Sequence, residues 1–168
     1  MVIRFALLSF FGLFFSAHAD VKIVKEAYET VRKITNEAEP PGVDHWKLPS
    51  ETLRDGKGDC EDKAFLLQQM LLEKGVKTGS VVFGWYQLNE EEGYNHVWLE
   101  IKLDDKLYVV DPANDVFQQA KEVADTFTYR DLDMIQERIF KRMLSDYRKR
   151  LTTARQSHVA ERIVCALD

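Results

Sequence analysis

The stretch GKGDCEDKAFLLQQMLLEKG, residues 56–75, decides the fold of this chain, because it contains a long apolar helix that begins at a cysteine. Asp59 suits the helix N-cap, with Asp62 three residues later as in a capping box, and Gly75 suits the position just past the helix end. Between these positions the segment AFLLQQMLL is apolar nearly all round, which is typical of a central buried helix. The sequence therefore predicts a buried helix whose first turn carries Cys60.

Cys60 stands among three carboxylates, those of Asp59, Glu61 and Asp62. Negative neighbours raise the pKa of a thiol, which disfavours the thiolate that a nucleophile needs. The positive end of the helix dipole acts in the opposite direction, but it contributes only about 1 kcal/mol. A nearby imidazolium stabilises a thiolate more strongly, so the histidine available to Cys60 decides its reactivity. The alternative use of this cysteine, a disulfide with Cys165, is left open by the sequence.

His96 is the histidine that the strand pattern favours. It opens the strand-like run HVWLEIKL, in which every second side chain shares its face. A hairpin folded about Asp104–Asp105 would place Asp111 diagonal to His96 on that face, within side-chain reach. Asp111 would then orient the imidazole, whereas a one-residue slip in register would turn it away. Cys60, His96 and Asp111 are therefore the candidate catalytic residues.

The chain as a whole has the pattern of one α+β domain. A helix is predicted from Asp20 to about Ala38, where the prolines of EPPG (39–42) end it, and an irregular stretch then leads to the cysteine. After the buried helix come three strand-like runs joined by short polar turns, which favour antiparallel hairpins: GSVVFGWYQL, HVWLEIKL and LYVVDPA. A long amphipathic C-terminal helix is predicted from Asp131.

Residues 1–19 have the pattern of a secretory signal peptide. A positive residue is followed by an apolar run of 11 residues from Phe5 to Phe15, and Ala17-His18-Ala19 forms a small-x-small cleavage site. The run is shorter than the roughly 18 apolar residues that a membrane-spanning helix needs. We therefore expect cleavage before Asp20, a single mature domain over residues 20–168, no integral membrane segment after cleavage, and a periplasmic or secreted location.

The charge balance argues against a nucleic-acid-binding protein. The 168 residues include 28 acidic and 23 basic side chains, a formal net charge of −5. The predicted C-terminal helix is nevertheless rich in basic residues, namely Arg138, Lys141, Arg142, Arg148, Lys149, Arg150 and Arg155. Such a face is usually only solvated, and the alternative is that it docks an acidic partner or a membrane surface.

Two segments resemble a known family. The segment HW…LPSETLRDGKGDCEDKAFLLQQMLLEKGV resembles the bacterial transglutaminase-like cysteine peptidases, in which a Gly-Asp-Cys-Glu-Asp box opens the nucleophile helix. The segment YNHVWLEIKLDDKLYVVDPAND resembles the histidine and aspartate strands of the wider transglutaminase-like, papain-related superfamily. The match spans about residues 46–114. It implies a nucleophile helix packed on a small antiparallel sheet, with Cys60 as nucleophile, His96 as general base and acid, and Asp111 as the orienting acid.

The resemblance also implies a role for the acids beside the cysteine. In peptidases of this type that process bacterial surface adhesins, acidic residues flanking the cysteine bind calcium, and Asp59, Glu61 and Asp62 match those positions. Hard carboxylate oxygens suit Ca²⁺, and a bound cation would offset their unfavourable field on the thiolate. The alternative is that these acids only cap the helix.

The expected function is that of a secreted thiol peptidase, which cleaves amide bonds of a protein or peptide substrate through a Cys-His-Asp triad. The Cys60 backbone N–H is the expected oxyanion donor, and Trp46 is a candidate for the second donor or for a cleft wall. Two alternatives stay open. One is transamidation, in which an amine replaces water, and the other is a non-catalytic module of the same fold that binds a peptide or partner.

Overall fold

The computed structural model describes residues 21–40, 44–76, 79–129 and 134–164. Its helices are α1 (Val21–Val31), α2 (Pro49–Asp55), α3 (Cys60–Glu73) and α4 (Met134–Val164), with a 3₁₀ turn at Ala120–Glu122. Its strands are β1 (Thr35–Asn36), β2 (Lys57–Gly58), β3 (Gly79–Gln87), β4 (Gly93–Leu103), β5 (Lys106–Asp111), β6 (Val116–Gln119) and β7 (Phe127–Tyr129). The signal peptide predicted at residues 1–19 and Cys165 lie outside the described residues.

Five strands form an antiparallel sheet in the order β6–β5–β4–β3–β7. The central strand β4 pairs along almost all of its length with β3 on one side, and its second half pairs with β5 on the other. A separate two-stranded parallel ladder joins β1 to β2, just before α3. The predicted α+β fold, with the helix that begins at Cys60 packed on an antiparallel sheet, is confirmed.

The β4–β5 hairpin has the register that the sequence predicted. Leu99 pairs with Val110. The two-residue turn at Asp104–Asp105 has positive φ at both positions, 45° and 62°, as tight hairpin turns require. Because side chains alternate along a strand, this register puts Asp111 on the sheet face that also carries His96.

The main core lies between α1, α3 and one face of the sheet. Its fully buried side chains include Val24, Val31, Leu66, Leu67, Leu99, Ile101 and Val110. The end of α3 is as predicted: Gly75 has a φ of +81°, and the Val76 N–H donates to the Leu71 carbonyl at 2.9 Å. This C-terminal motif satisfies carbonyls that the helix itself leaves unpaired.

The last helix packs on α3 and β3 through an aromatic cluster. Tyr147 of α4 stacks on Phe65 of α3 with ring centroids 4.3 Å apart. Arg150 also anchors α4, because its guanidinium donates to the Trp46 carbonyl and to Glu51 Oε2, both at 2.8 Å. In the described ranges, no helix combines the length and the apolar character needed to cross a membrane.

Four local predictions were wrong or incomplete. The first helix ends at Val31 rather than Ala38, because the chain turns and pairs Thr35–Asn36 with β2. The stretch read as irregular contains α2, whose Pro49 start and left-handed Gly56 end are ordinary helix signals. Strands β6 and β7 were not foreseen. Asp59 is the N-cap residue of α3, but its side chain makes no capping hydrogen bond.

The face of the sheet opposite α3 packs closely at one glycine. Gly84 of β3 pairs with His96 of β4, and a Cβ added there would lie 2.2 Å from Trp98 Cη2 and 2.5 Å from the Thr128 carbonyl oxygen. We predict that Gly84→Ala lowers the free energy of unfolding by about 1–3 kcal/mol, because Trp98 and β7 must shift. Urea unfolding followed by circular dichroism measures this.

Gly79→Ala is the matched control in the same strand. A Cβ at Gly79 would make ordinary contact with Leu99, whose nearest atom lies at 3.4 Å. This substitution should change the free energy of unfolding by less than about 1 kcal/mol. Equal effects of the two substitutions would contradict the close approach at Gly84.

Candidate active site

Cys60 is the first residue of α3, directly after β2 and its N-cap Asp59. The Cys60 thiol donates a hydrogen bond to Glu61 Oε2 at 3.1 Å. The backbone N–H of Val97 is close enough to the sulfur to lower the pKa of the thiol. The candidate nucleophile therefore lies against β4 at the residue that follows His96. Within the described ranges Cys60 is a free thiol.

This environment favours the protonated thiol. Burial raises the pKa of the Cys60 thiol, and the negative charges of Glu61 and Asp59 raise it further. The Val97 N–H acts in the opposite direction. The effect of the flanking acids on the thiol pKa thus has the sign that the sequence predicted.

The flanking acids themselves hold protons more tightly than free carboxyls do. Burial, followed by the charge of Asp59, raises the pKa of Glu61 to about 8 and that of Asp62 to about 7. Burial also raises the pKa of Asp59. Asp59 Oδ1 is buried and accepts no hydrogen bond from any residue that the structure describes.

His96 and Asp111 form a buried pair at the ends of neighbouring strands. His96 Nε2 donates to Asp111 Oδ2 at 2.7 Å, and their side chains are only 2% and 1% exposed. Asp111 Oδ1 accepts the Ala113 backbone N–H at 2.9 Å, and its Oδ2 also accepts Asn114 Nδ2 at 3.0 Å. The carboxylate is therefore held on both oxygens, which fixes the orientation of the imidazole that it binds.

The other ring nitrogen of His96, Nδ1, is buried and has no hydrogen-bond partner in the described part of the chain. Tyr86 and Tyr94 each meet the ring edge to face, with centroids 5.5 Å away. The Tyr94 hydroxyl donates to Asn114 Oδ1 at 3.2 Å. Burial raises the pKa of Tyr94, and the charges of Tyr86, Asp111 and Cys60 raise it further, whereas the Asn114 hydrogen bond lowers it.

Two polar residues that support the His–Asp pair were not predicted from the sequence. Asn114 contacts Asp111 directly, and Tyr94 fixes the orientation of the Asn114 amide. Spacing held a signal for both: Asn114 follows Asp111 by three residues within one turn, and Tyr94 shares its strand face with His96 two residues on. Neither residue type is diagnostic at such positions.

Trp46 belongs to the core rather than to an open cleft. It is 6% exposed, and its ring lies 5.3 Å from that of Phe83 and 5.4 Å from that of Phe65. The indole N–H hydrogen-bonds to the Asp44 carboxyl. The expected second oxyanion donor is thus already engaged by another group.

The three candidate calcium ligands point to different partners. Asp62 Oδ1 accepts the Lys47 backbone N–H at 2.7 Å, Glu61 accepts the thiol proton, and Asp59 Oδ1 is unpaired. Across the described ranges, no group of three or more His, Cys, Asp or Glu side chains is arranged to hold a metal ion. The acids adjoin one another, but they are not gathered into a coordination shell.

The raised pKa of Glu61 predicts an unusual pH dependence of stability. The native state holds this proton more tightly than the unfolded chain, so unfolding releases it between the ordinary pKa of 4.5 and the native value of about 8. The free energy of unfolding should therefore fall as pH rises through this window, by at least about 1 kcal/mol from this residue. Urea unfolding at pH 5, 6, 7 and 8 in the presence of chelator measures the slope.

Glu61→Gln should flatten this slope without abolishing it, since Asp62 contributes in the same direction. Glu90→Gln, at an exposed residue of the β3–β4 turn, is the matched control and should leave the slope unchanged. A wild-type protein that grows more stable from pH 5 to pH 8 would contradict the prediction.

Comparison with solved structures supports the fold. LapG of Legionella pneumophila superposes with a TM-score of 0.59 at 19% identity, covering 77% of each chain. Its calcium-bound form gives a TM-score of 0.54 at 21% identity, covering 74% of this chain and 81% of that one. The EGTA-treated form gives the same score and identity, with 74% and 80% covered. At identities this low, the superpositions show a shared fold alone.

Sequence comparison identifies the family. No curated protein matches the chain. A family model described as a transglutaminase-like domain matches residues 17–140, which include α1, α3, the whole sheet and all three candidate catalytic residues. This match agrees with the resemblance carried by the cysteine box and the two following strands. The chain therefore belongs to the transglutaminase-like domain family.

Proposed function

We propose that this protein is a thiol peptidase that cleaves amide bonds of a protein or peptide substrate. Cys60 is the nucleophile, His96 the general base and acid, and Asp111 the residue that orients the imidazole. The observation that carries the proposal is the buried 2.7 Å bond from His96 Nε2 to Asp111, which leaves Nδ1 as the ring nitrogen for proton exchange. Membership of the transglutaminase-like family supports the same assignment.

The reaction proceeds in two halves. The Cys60 thiol gives its proton to His96 Nδ1, and the sulfur bonds to the substrate carbonyl carbon. His96 then protonates the amine nitrogen as the C–N bond breaks, which leaves a thioester on Cys60. In the second half His96 takes a proton from water, the oxygen attacks the thioester, and the C–S bond breaks to give a carboxylic acid and the restored thiol.

The start of α3 suits the negative charge that develops on the carbonyl oxygen. The Cys60 backbone N–H lies in the first helical turn, where N–H groups have no partner within the helix. It is our proposed oxyanion donor, aided by the positive end of the helix dipole. Tyr94, whose hydroxyl bonds to Asn114 beside Asp111, is a polar group of the same region.

The resting thiol must lose its bond to Glu61 before it reacts, and we propose that Ca²⁺ binding by Asp59, Glu61 and Asp62 achieves this. The buried Asp59 oxygen without a partner among the described residues, and the burial that raises the pKa of the other two acids, support this proposal, because a cation would offset the cost of burying these carboxylates. Binding would draw the three acids together into a coordination shell, which they do not form on their own. A capping role is the alternative: Asp59 is the N-cap residue of α3, and the backbone N–H of Asp62 lowers the pKa of its carboxyl, although no side-chain capping hydrogen bond forms. Bound Ca²⁺ would supply positive charge that favours the thiolate.

Transamidation is the second candidate function, because the same triad forms the same thioester. The two reactions differ only in whether water or an amine resolves it, and exclusion of water favours the amine. A fluorescent primary amine that becomes covalently attached to protein substrate would favour transfer over hydrolysis. A non-catalytic binding module is the third candidate, and an inert Cys60 would favour it.

We further propose that the protein acts outside the cytoplasm, in the periplasm or as a secreted protein, after cleavage of residues 1–19. The signal-like pattern of this segment is the support. The basic side chains of α4 that remain exposed, such as Arg142 and Arg148, suit an acidic partner, whereas Arg150 and Arg155 bind residues of the domain itself.

The triad predicts that Cys60 reacts with electrophiles in a His96-dependent manner. We expect iodoacetamide to modify Cys60 at pH 7 in the presence of Ca²⁺, and His96→Ala to slow this reaction at least about tenfold, because the thiolate loses its imidazolium partner. Asp111→Asn should slow it as well, since the imidazole loses its orienting carboxylate. Intact-mass analysis gives the rates, and peptide mapping gives the modified residue.

His45→Ala is the matched control, because His45 is exposed. It should leave the alkylation rate of Cys60 unchanged. The triad would be refuted by a Cys60–Cys165 disulfide in the purified protein, by labelling at Cys165 alone, or by equal rates in wild type and His96→Ala.

Calcium should bind beside Cys60 and activate it. We expect isothermal titration calorimetry to show binding of Ca²⁺ to wild type, and at least about tenfold weaker binding to Glu61→Gln and Asp59→Asn, because each loses a charged ligand. EGTA should slow alkylation of Cys60 in wild type, since the uncompensated acids then raise the thiol pKa.

Asp105→Asn serves as the control, because this acid is in the β4–β5 turn and its side chain is 89% exposed. It should bind Ca²⁺ as wild type does. A wild-type protein that gives no heat with Ca²⁺, and whose alkylation is insensitive to EGTA, would remove the cation from the proposal and leave the acids without a cofactor role.

A further inference from the structure

Lys63 is a buried cation that the proposed reaction does not use. It lies on α3 three residues after Cys60 and is 2% exposed. A buried ammonium loses its hydration, and a buried carboxylate partner usually offsets that loss. Here the Lys63 ammonium donates instead to the neutral side-chain oxygen of Asn36, in β1. A buried ammonium with a neutral partner lowers the free energy of unfolding. We infer from this cost that Lys63 has a role in the candidate active site.

Two further hydrogen bonds connect Asn36 to Asp111 through Ala113. Asn36 Nδ2 donates to the Ala113 carbonyl at 3.2 Å, and the Ala113 N–H donates to Asp111 Oδ1 at 2.9 Å. Together with the Lys63 ammonium, these bonds connect the nucleophile helix to the carboxylate that binds His96. We call the pair of side chains at its start, Lys63 and Asn36, the Lys63–Asn36 link.

The β1–β2 ladder fixes the middle of this connection. Asn36 pairs with Gly58, two residues before Cys60, so the position of Asn36 is tied to the start of α3. A Cβ on Gly58 would lie 2.7 Å from Asp62 Cβ, which shows how closely the ladder approaches the helix. The short strand that the sequence did not reveal thus holds the amide that joins Lys63 to the Asp111 turn.

Charge adds a second reason for a lysine at this place. Asp111 is fully buried, and in the proposed cycle His96 becomes neutral each time it gives up its second proton. The Asp111 carboxylate would then be a buried anion that needs another cation nearby. Lys63 is joined to the Asp111 turn through Asn36 and Ala113, which places its charge on the Asp111 side of the site.

We propose that Lys63 is a positioning residue, which acts through Asn36 to hold the Asp111 turn in line with His96. The effect on Cys60 reactivity rests on the proposed function, whereas the effect on the His96–Asp111 hydrogen bond does not. Lys63 touches neither substrate nor sulfur in this role. Its contribution is the orientation of the carboxylate and a constant positive charge beside it.

The test uses Lys63→Met and Asn36→Ala in the full mature chain, with two readouts. The first is the NMR resonance of the proton on His96 Nε2, assigned by its loss in His96→Ala, which should move upfield or broaden in both variants as the bond to Asp111 loosens. The second is the rate of Cys60 alkylation by iodoacetamide at pH 7, which should fall at least fivefold in both. Neither readout changes if the link only stabilises the fold.

Lys57→Met is the matched control, because Lys57 lies on β2 with its side chain 55% exposed and paired with Glu37. It should leave both readouts as in wild type. Urea unfolding should find Lys63→Met at least as stable as wild type, since removal of a buried charge often stabilises a protein. If Lys63→Met fails to fold, Asn36→Ala decides alone, because Asn36 is exposed and its loss leaves the core intact.

An unchanged His96 resonance in Asn36→Ala, with an alkylation rate within twofold of Lys57→Met, would overturn the proposal. Equal alkylation of wild type and His96→Ala would instead refute the proposed function. In that case the NMR readout still decides whether the Lys63–Asn36 link holds the His96–Asp111 bond: a shifted resonance supports it and an unchanged one overturns it.

Discussion

The hydrogen bond between His96 Nε2 and Asp111 Oδ2 is the interaction on which the candidate site depends. It joins two side chains that only the observed pairing of β4 with β5 brings together. The two residues reach each other only if β4 and β5 pair as they do, and the Asp104–Asp105 turn sets that pairing. A slip of one residue would turn Asp111 to the opposite face of the sheet. The apolar side chains of β4 that face α3 oppose such a slip, since it would expose them.

The first turn of α3 connects the start of the helix to two other segments. Successive residues of a helix point about 100° apart, so the side chains that follow Cys60 leave the helix in different directions. Glu61 meets the thiol, Asp62 binds the Lys47 N–H before α2, and Lys63 reaches Asn36 in β1. The residues Cys-Glu-Asp-Lys at 60–63 therefore do more than begin a helix. Two of them also fix the helix start to the segment before α2 and to β1.

Local pattern predicted the parts of this fold that carry their own signal. The apolar run of α3, the left-handed Gly75 at its end and the alternation along β4 each predicted structure correctly, and the β4–β5 register followed from the two-residue turn. The two-residue strands β1 and β2 have no such signal, because each is defined only by its partner in the other segment. The Lys63–Asn36 link depends on that ladder and was invisible for the same reason.

Whether Cys60 can form a thiolate among its acidic neighbours depends on the relative sizes of two electrostatic effects. A unit charge about 4 Å away is worth about 4 kcal/mol near a protein surface, against about 1 kcal/mol from a helix dipole. With Glu61 at 3.1 Å from the sulfur, the helix start alone does not produce a thiolate. Lys63 acts, in our proposal, on the Asp111 side of the site, which it reaches through Asn36. Positive charge on the Cys60 side must come from the His96 imidazolium, from a cation taken up by the acids, or from both, and this requirement connects the proposed catalysis to the proposed calcium site.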